Sequence, residues 1–122
     1  MKILLQLLLS ASFVLPACAD TTASAFTGYL VDRDSVRRLN NKLDLELTRA
    51  AYDRNKALQS KLGFGVISNG QLYELDTSGN RFARSLITNS HNDQPLMVMI
   101  RGRLMTSTIA VEKLSDISVQ QF

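Results

Sequence analysis

Apolar and polar residues follow two different rhythms along this chain, and the switches between them divide it into elements. Residues 26–32 (Phe-Thr-Gly-Tyr-Leu-Val-Asp) gather aromatic and β-branched side chains around a glycine, which predicts a first strand with a bend at Gly28. From Asp34 the period lengthens. Val36, Leu39, Leu43, Leu47, Ala50, Ala51, Ala57, Leu58 and Leu62 recur every three or four residues, with charged side chains filling the other face. This predicts an amphipathic helix over 34–62, started by Asp34 or Ser35 and ended by Gly63. A break near Asn40-Asn41 or near Asn55 is the alternative. On the helix surface, Arg49 with Asp53 and Asp53 with Lys56 stand at spacings that let opposite charges meet.

Strand chemistry returns at Gly63. Residues 63–67 and 71–76, joined by Ser68-Asn69-Gly70, predict a hairpin, because Asn-Gly supplies the positive φ angles of its tight turn. Residues 77–80 read as a second turn, with Asn80 capping a short helix through 81–87, and 91–95 read as a loop. In 96–104 the alternation predicts a half-buried strand with Leu96, Val98, Ile100 and Leu104 inward and Met97, Met99, Arg101 and Arg103 outward. Thr106-Ser107 then turns the chain into a last strand over 108–114. The order is strand, helical insert, strand, strand, short helix, strand, strand. That is the order of a mainly β (α+β), five-stranded OB-like Greek-key barrel, with the long amphipathic helix inserted after strand 1.

The N-terminus has a different character. Met1-Lys2 precedes an apolar run over 3–15, followed by Pro16-Ala17-Cys18-Ala19. The run is shorter than the ~20 residues a membrane-spanning helix needs, so it reads as a signal peptide over 1–19 and not as a span. Two processing patterns overlap. Ala17 and Ala19 suit ordinary cleavage before Asp20, while Leu15-Pro16-Ala17-Cys18 resembles a lipobox that would lipidate Cys18. Ordinary cleavage fits better, because Pro is unusual at the second lipobox position. Residues 20–25 are small and polar and read as a flexible tether, leaving 26–122 as a single OB-like domain. Localisation is therefore expected in the periplasm or outside the cell, after cleavage near Ala19. Cys18 is the only cysteine, so a form cleaved before Asp20 is stabilised by packing and not by disulfides.

Length and charge narrow the functions. At 122 residues there is room for one module, and losing Lys2 with the leader leaves thirteen basic against eleven acidic side chains, a net charge of +2. Export and so small a charge argue against a nucleic-acid partner.

The segments Leu72-Tyr73-Glu74-Leu75-Asp76-Thr77-Ser78-Gly79, Ile100-Arg101-Gly102-Arg103 and 109–117 together resemble the bacterial periplasmic OB-fold family of small exported proteins. That resemblance covers about half of the chain beyond the leader. It implies an OB barrel, and roles in envelope-stress tolerance and in binding small ligands or partner proteins. It carries over no catalytic residue, and the helical insert has no counterpart in it.

Catalytic patterns are not evident in the sequence. His91 is the single histidine and sits among Asn89, Ser90, Asn92 and Asp93 with no nucleophile paired to it, and Gly63-Phe64-Gly65 follows a helix where a dinucleotide fingerprint would open one. Asp32 with Asp34 and Asp44 with Glu46 are better explained by helix capping than by acid–base chemistry. No enzyme activity and no cofactor are expected. Tyr73, Arg81, Arg84, Arg101 and Arg103 are the candidate ligand-binding residues, on one barrel face that would receive an anionic group. The expected function is an exported, non-enzymatic binding module for an unknown protein, glycan or small anionic ligand. Two alternatives accompany it. Met97, Met99 and Met105 with His91 offer thioethers and an imidazole, donors that suit Cu(I). Helix 34–62 would be the docking surface of a secreted inhibitor or assembly partner, although its mixed charges suit a helix lying across a barrel end.

Overall fold

The computed structural model describes residues 23–40 and 42–118. The segment read as a signal peptide, Cys18 and the start of the expected tether lie outside the described residues. The elements are β1 (Ser24–Asp32), α1 (Arg33–Arg38), α2 (Leu45–Ala51), α3 (Arg54–Leu58), β2 (Phe64–Ser68), β3 (Gln71–Leu75), α4 (Thr77–Asn89), β4 (Met97–Met105) and β5 (Thr108–Asp116).

The strands close a barrel in the order β1-β2-β3-β5-β4, all neighbours antiparallel except β3 and β5. Closure depends on β1 changing partner. Residues 24–29 pair with β4, and 29–32 pair with β2. Gly28 sits at the change, where a Cβ would collide with the Ile67 carbonyl oxygen and with Val66, so the bend expected there needs glycine for close approach. β1 begins two residues before the expected strand, so Ser24 and Ala25 are wall and not tether. The pleat puts Leu30 opposite Val66, Phe26 opposite Ile100 and Leu75 opposite Ile109, all facing inward. With Phe64, Val98 and Val111 they fill the interior, and Ala57, Ala83, Ile87 and Leu96 close one end of it. The 69–70 turn is as expected, with φ of 52° at Asn69 and 78° at Gly70.

The single helix over 34–62 is not observed; three short helices replace it. Asn40 adopts φ 57° after α1, and Tyr52 is extended after α2. Each new helix then starts on an aspartate. Asp32, Asp44 and Asp53 accept backbone N–H bonds at the starts of α1, α2 and α3. The first break is the expected alternative near Asn40, and the second falls at Tyr52-Asp53, ahead of Asn55. The apolar stripe consequently goes out of phase: Val36 and Ala57 are buried, whereas Leu47 is 45% exposed and Thr48 takes the buried place in α2. Asp53 bonds to the amides of Asn55 and Lys56 and does not pair with Arg49.

The short helix also differs from expectation. α4 starts at Thr77, so the turn read over 77–80 is its first turn, and Asp76, not Asn80, is the cap. Asn80 instead accepts from the Phe64 amide at 2.8 Å and joins α4 to β2. Gly79 is buried because a Cβ there would stand 2.6 Å from Val111 Cγ2 and 2.8 Å from Leu75 Cβ, which brings α4 down onto β5. Leu104, expected inward, is 45% exposed, because β4 runs on beyond its last pair with β1, at Gly102.

Candidate functional site

A cavity of 550 Å³ lies on the outside of the barrel wall. Its floor is the outward face of β1, where Thr27 and Tyr29 alternate with the inward Phe26, Gly28 and Leu30, and where Met97 pairs with Tyr29 from β4. The broken helix builds the overhanging wall. Beyond α1, Leu43 packs against Val31, Val36 and Ile67, and Leu45 lines the groove with it. The Asn69-Gly70 turn closes one end of the groove. Ser68 Oγ donates to the Thr27 carbonyl at 2.7 Å, holding β2 to β1 along this edge. The Arg49 guanidinium lies 6.0 Å from the Tyr29 ring centroid, at the outer limit of cation–π attraction. The lining thus offers an aromatic floor, aliphatic walls, hydroxyl and amide groups, and a guanidinium near the ring. A groove of this volume falls within the ordinary range for small-ligand sites, about 300–1,000 Å³.

The residues singled out from the sequence are dispersed. Tyr73 is on β3 opposite Val66 and packs against the interior core, with its hydroxyl donating to Gln71 Oε1 at 2.8 Å. Arg84 is part of the scaffold: it donates to the Leu58 carbonyl and lies 5.3 Å from the Phe64 ring centroid, tying α3 to α4. Arg81 is exposed on α4. Arg101 and Arg103 stand on the outward face of β4. None of the cavities described here is lined by Tyr73 together with an arginine; Arg101 instead lines a 160 Å³ recess with Met99, Lys113, Ser115 and Ala25. The methionines of the copper alternative are spread along one strand. Met97 and Met105 are eight residues apart on one strand, about 26 Å, and Met99 and Met105 about 20 Å, whereas ligands of one ion must all touch it. Among the described residues no group of three or more His, Cys, Asp or Glu side chains could hold a metal ion.

Two ionisable groups are set by their surroundings. Asp34 is pushed up by partial burial, but bonds from the Ser60 hydroxyl and from the Leu62 and Lys61 amides, together with nearby Arg38, outweigh this and hold it below the usual range. Burial, and then the Asp32 carboxylate, push the Tyr52 phenol up to about 12. Asp32 is fully buried; its Oδ2 accepts from the Ser35 amide and hydroxyl, while Oδ1 has no partner among the described residues. Arg54 holds the end of α4 by donating to the carbonyls of Ile87, Thr88 and Ser90.

Spacing alone does not single out Tyr29, Leu43 and Leu45 of the groove, nor Arg49 near the Tyr29 ring. A signal existed for Tyr29: in the alternation of 26–32 it falls on the face opposite Phe26 and Leu30, an aromatic on the outward side. Compared with known proteins, the chain matches no family model, no curated sequence and no solved structure.

Proposed function

We propose that this chain is an exported, non-enzymatic binding module on an OB-type barrel, taking a small ligand with an apolar body and an anionic end into the groove between β1 and the helical insert. The observation that carries the reading is the 550 Å³ groove itself, with Tyr29 as its floor and Arg49 next to that ring. The apolar body would lie on Tyr29 between Leu43, Leu45 and Met97, and the anionic end would meet Arg49. Binding is favoured over turnover because the lining carries no carboxylate, thiol or imidazole. Export is supported by the apolar run over 3–15 with Ala17 and Ala19 behind it. The OB type is supported by the strand order and by a helix placed between β3 and β4. The ligand site of this reading is the groove and not the expected tyrosine–arginine face, whose members lie apart.

The test is a titration of the isotopically labelled protein with phenylbutyrate and octanoate, followed by amide chemical shifts. The expected result is saturable shifts at Thr27, Gly28, Tyr29, Leu43 and Gly70, abolished by Tyr29→Ala and weakened by Arg49→Gln. Shifts confined to other surfaces, or no saturable shifts with either probe, would sink the reading.

A further inference from the structure

We infer that the outward face of β4 and β5 beyond Met97 is a membrane-docking surface, specific for anionic lipid headgroups and adjoining the groove at Ala25. Its first feature is a pairing that sheet stability disfavours. Arg101 stands directly opposite Lys113 in the antiparallel ladder, and like charges in that position repel. The register shift just beyond this pair leaves Glu112 as the extra residue on β5, and Glu112 reaches Arg101 only at 4.0 Å, with both side chains more than half exposed. With Arg103 two positions along β4, the face carries three cations against one carboxylate. A 160 Å³ recess lies between Arg101 and Lys113, with the Ser115 hydroxyl available to a phosphate and Met99 to its ester chain.

The second feature is apolar. Beyond Arg103 the β4–β5 ribbon ends in Leu104 and Met105, which are 45% and 58% exposed although they point to opposite sides of the ribbon. Exposed apolar side chains on a turn, adjoined by basic residues, satisfy both requirements for reversible attachment to a bilayer surface: hydrocarbon to insert and cations to meet the headgroups. An acidic protein would use the cations but would have no use for an apolar ribbon tip. The third feature is where the chain enters. Ser24 pairs with Gly102 and Ala25 with Arg101, so the first strand of the described residues enters the barrel at this face.

The chain has no tryptophan, which permits a test that reads position and not mere attachment. Met105→Trp puts a fluorophore at the ribbon tip. Leu47→Trp puts one on α2, a comparably exposed site beside the groove. In the form that begins at Asp20, mixed with vesicles of phosphatidylglycerol and phosphatidylcholine, the emission of the Met105→Trp variant is expected to shift to the blue and to be quenched by brominated lipid. In phosphatidylcholine alone it should not, nor should the Leu47→Trp variant shift in either. Adding Arg103→Glu and Lys113→Glu to Met105→Trp should weaken the shift at least ten-fold in lipid concentration, since each surface cation is worth about five-fold in partitioning. Circular dichroism should show the barrel unchanged in that variant. Equal shifts in neutral and anionic vesicles, equal shifts at the two tryptophan positions, or no response to charge reversal would each overturn the proposal.

Discussion

The barrel and the segment 33–63 follow different rhythms of apolar spacing, and different forces hold them in place. In the barrel, inward pairs such as Leu30 with Val66 and Phe26 with Ile100 enclose a dry interior around Phe64 and Ile109. In the segment, the few buried positions include Val36, Thr48 and Ala57, and attachment is made by side chains gripping backbone. Asp34 accepts from Ser60, Lys61 and Leu62, Arg33 donates to the Leu62 carbonyl and pairs with Glu74, and Arg54 grips the end of α4. A wall made by burial is sensitive to lost volume. A strap made by polar contacts is sensitive to lost donors and acceptors, which lets it be loosened without opening the barrel.

Substitutions that act on one region and spare the other test this contrast. The largest effect is expected from Phe64→Ala, which empties the center of the interior and should cost about 3–5 kcal/mol in chemical denaturation, with barrel and strap melting together. Asp34→Ala should cost about 1–2 kcal/mol by leaving its donors unpaired. Hydrogen exchange should then quicken over 54–62 and stay slow in β1 and β4; equal quickening in both would erase the contrast. The same carboxylate gives a pH signature. Its folded pKa lies below its unfolded value near 3.8, so its contribution is full above that value and is lost as the pH falls through the folded pKa. Stability measured between pH 5 and 2 should therefore fall less steeply in Asp34→Asn than in the parent.

Arg54→Leu should cost about 1–2 kcal/mol by removing a charged donor from three carbonyls, with fraying confined to the last turn of α4 in amide exchange. The ribbon turn should respond in the opposite direction. Thr106 is β-branched and holds φ 63°, so Thr106→Gly should raise stability by about 0.5–1 kcal/mol. Smallest of all is Leu47→Ser, expected within about 0.5 kcal/mol of the parent, because the periodic pattern places this leucine in the core but the break at Asn40 turns it outward.

The same contrast explains what was legible in the sequence. Strands with a local turn signal were found where they are, and Asn69-Gly70 is the clearest, because two residues dictate the geometry of that turn. The strap was misread because an aspartate on the polar face of a helix and an aspartate that starts one look alike in a periodic pattern. Asp44 and Asp53 fit the long helix equally well until the extended conformations of Asp44 and Asp53 themselves are seen. The parallel contact of β3 with β5 joins residues 34 positions apart, Glu74 to Thr108 and Leu75 to Ile109, and no local pattern encodes it. The same holds for the sites. The groove needs the strap folded back on β1, and the Arg101–Lys113 juxtaposition needs a register that shifts at Glu112, so neither can be read from spacing.

Asp76 gives the molecule a further property. One oxygen, Oδ1, accepts both from Gly79 at the start of α4, at 2.9 Å, and from Val111 in β5, at 3.2 Å, while the Asp76 amide donates to Ile109. The only parallel junction of the barrel spans two residue pairs, so it depends on this carboxylate for much of its polar bonding. Helix initiation is a local event, and bringing β5 beside β3 is a distant one; a shared acceptor makes each favour the other. A chain with α4 formed and β5 undocked lacks the stabilisation that helix and strand draw together from this one atom.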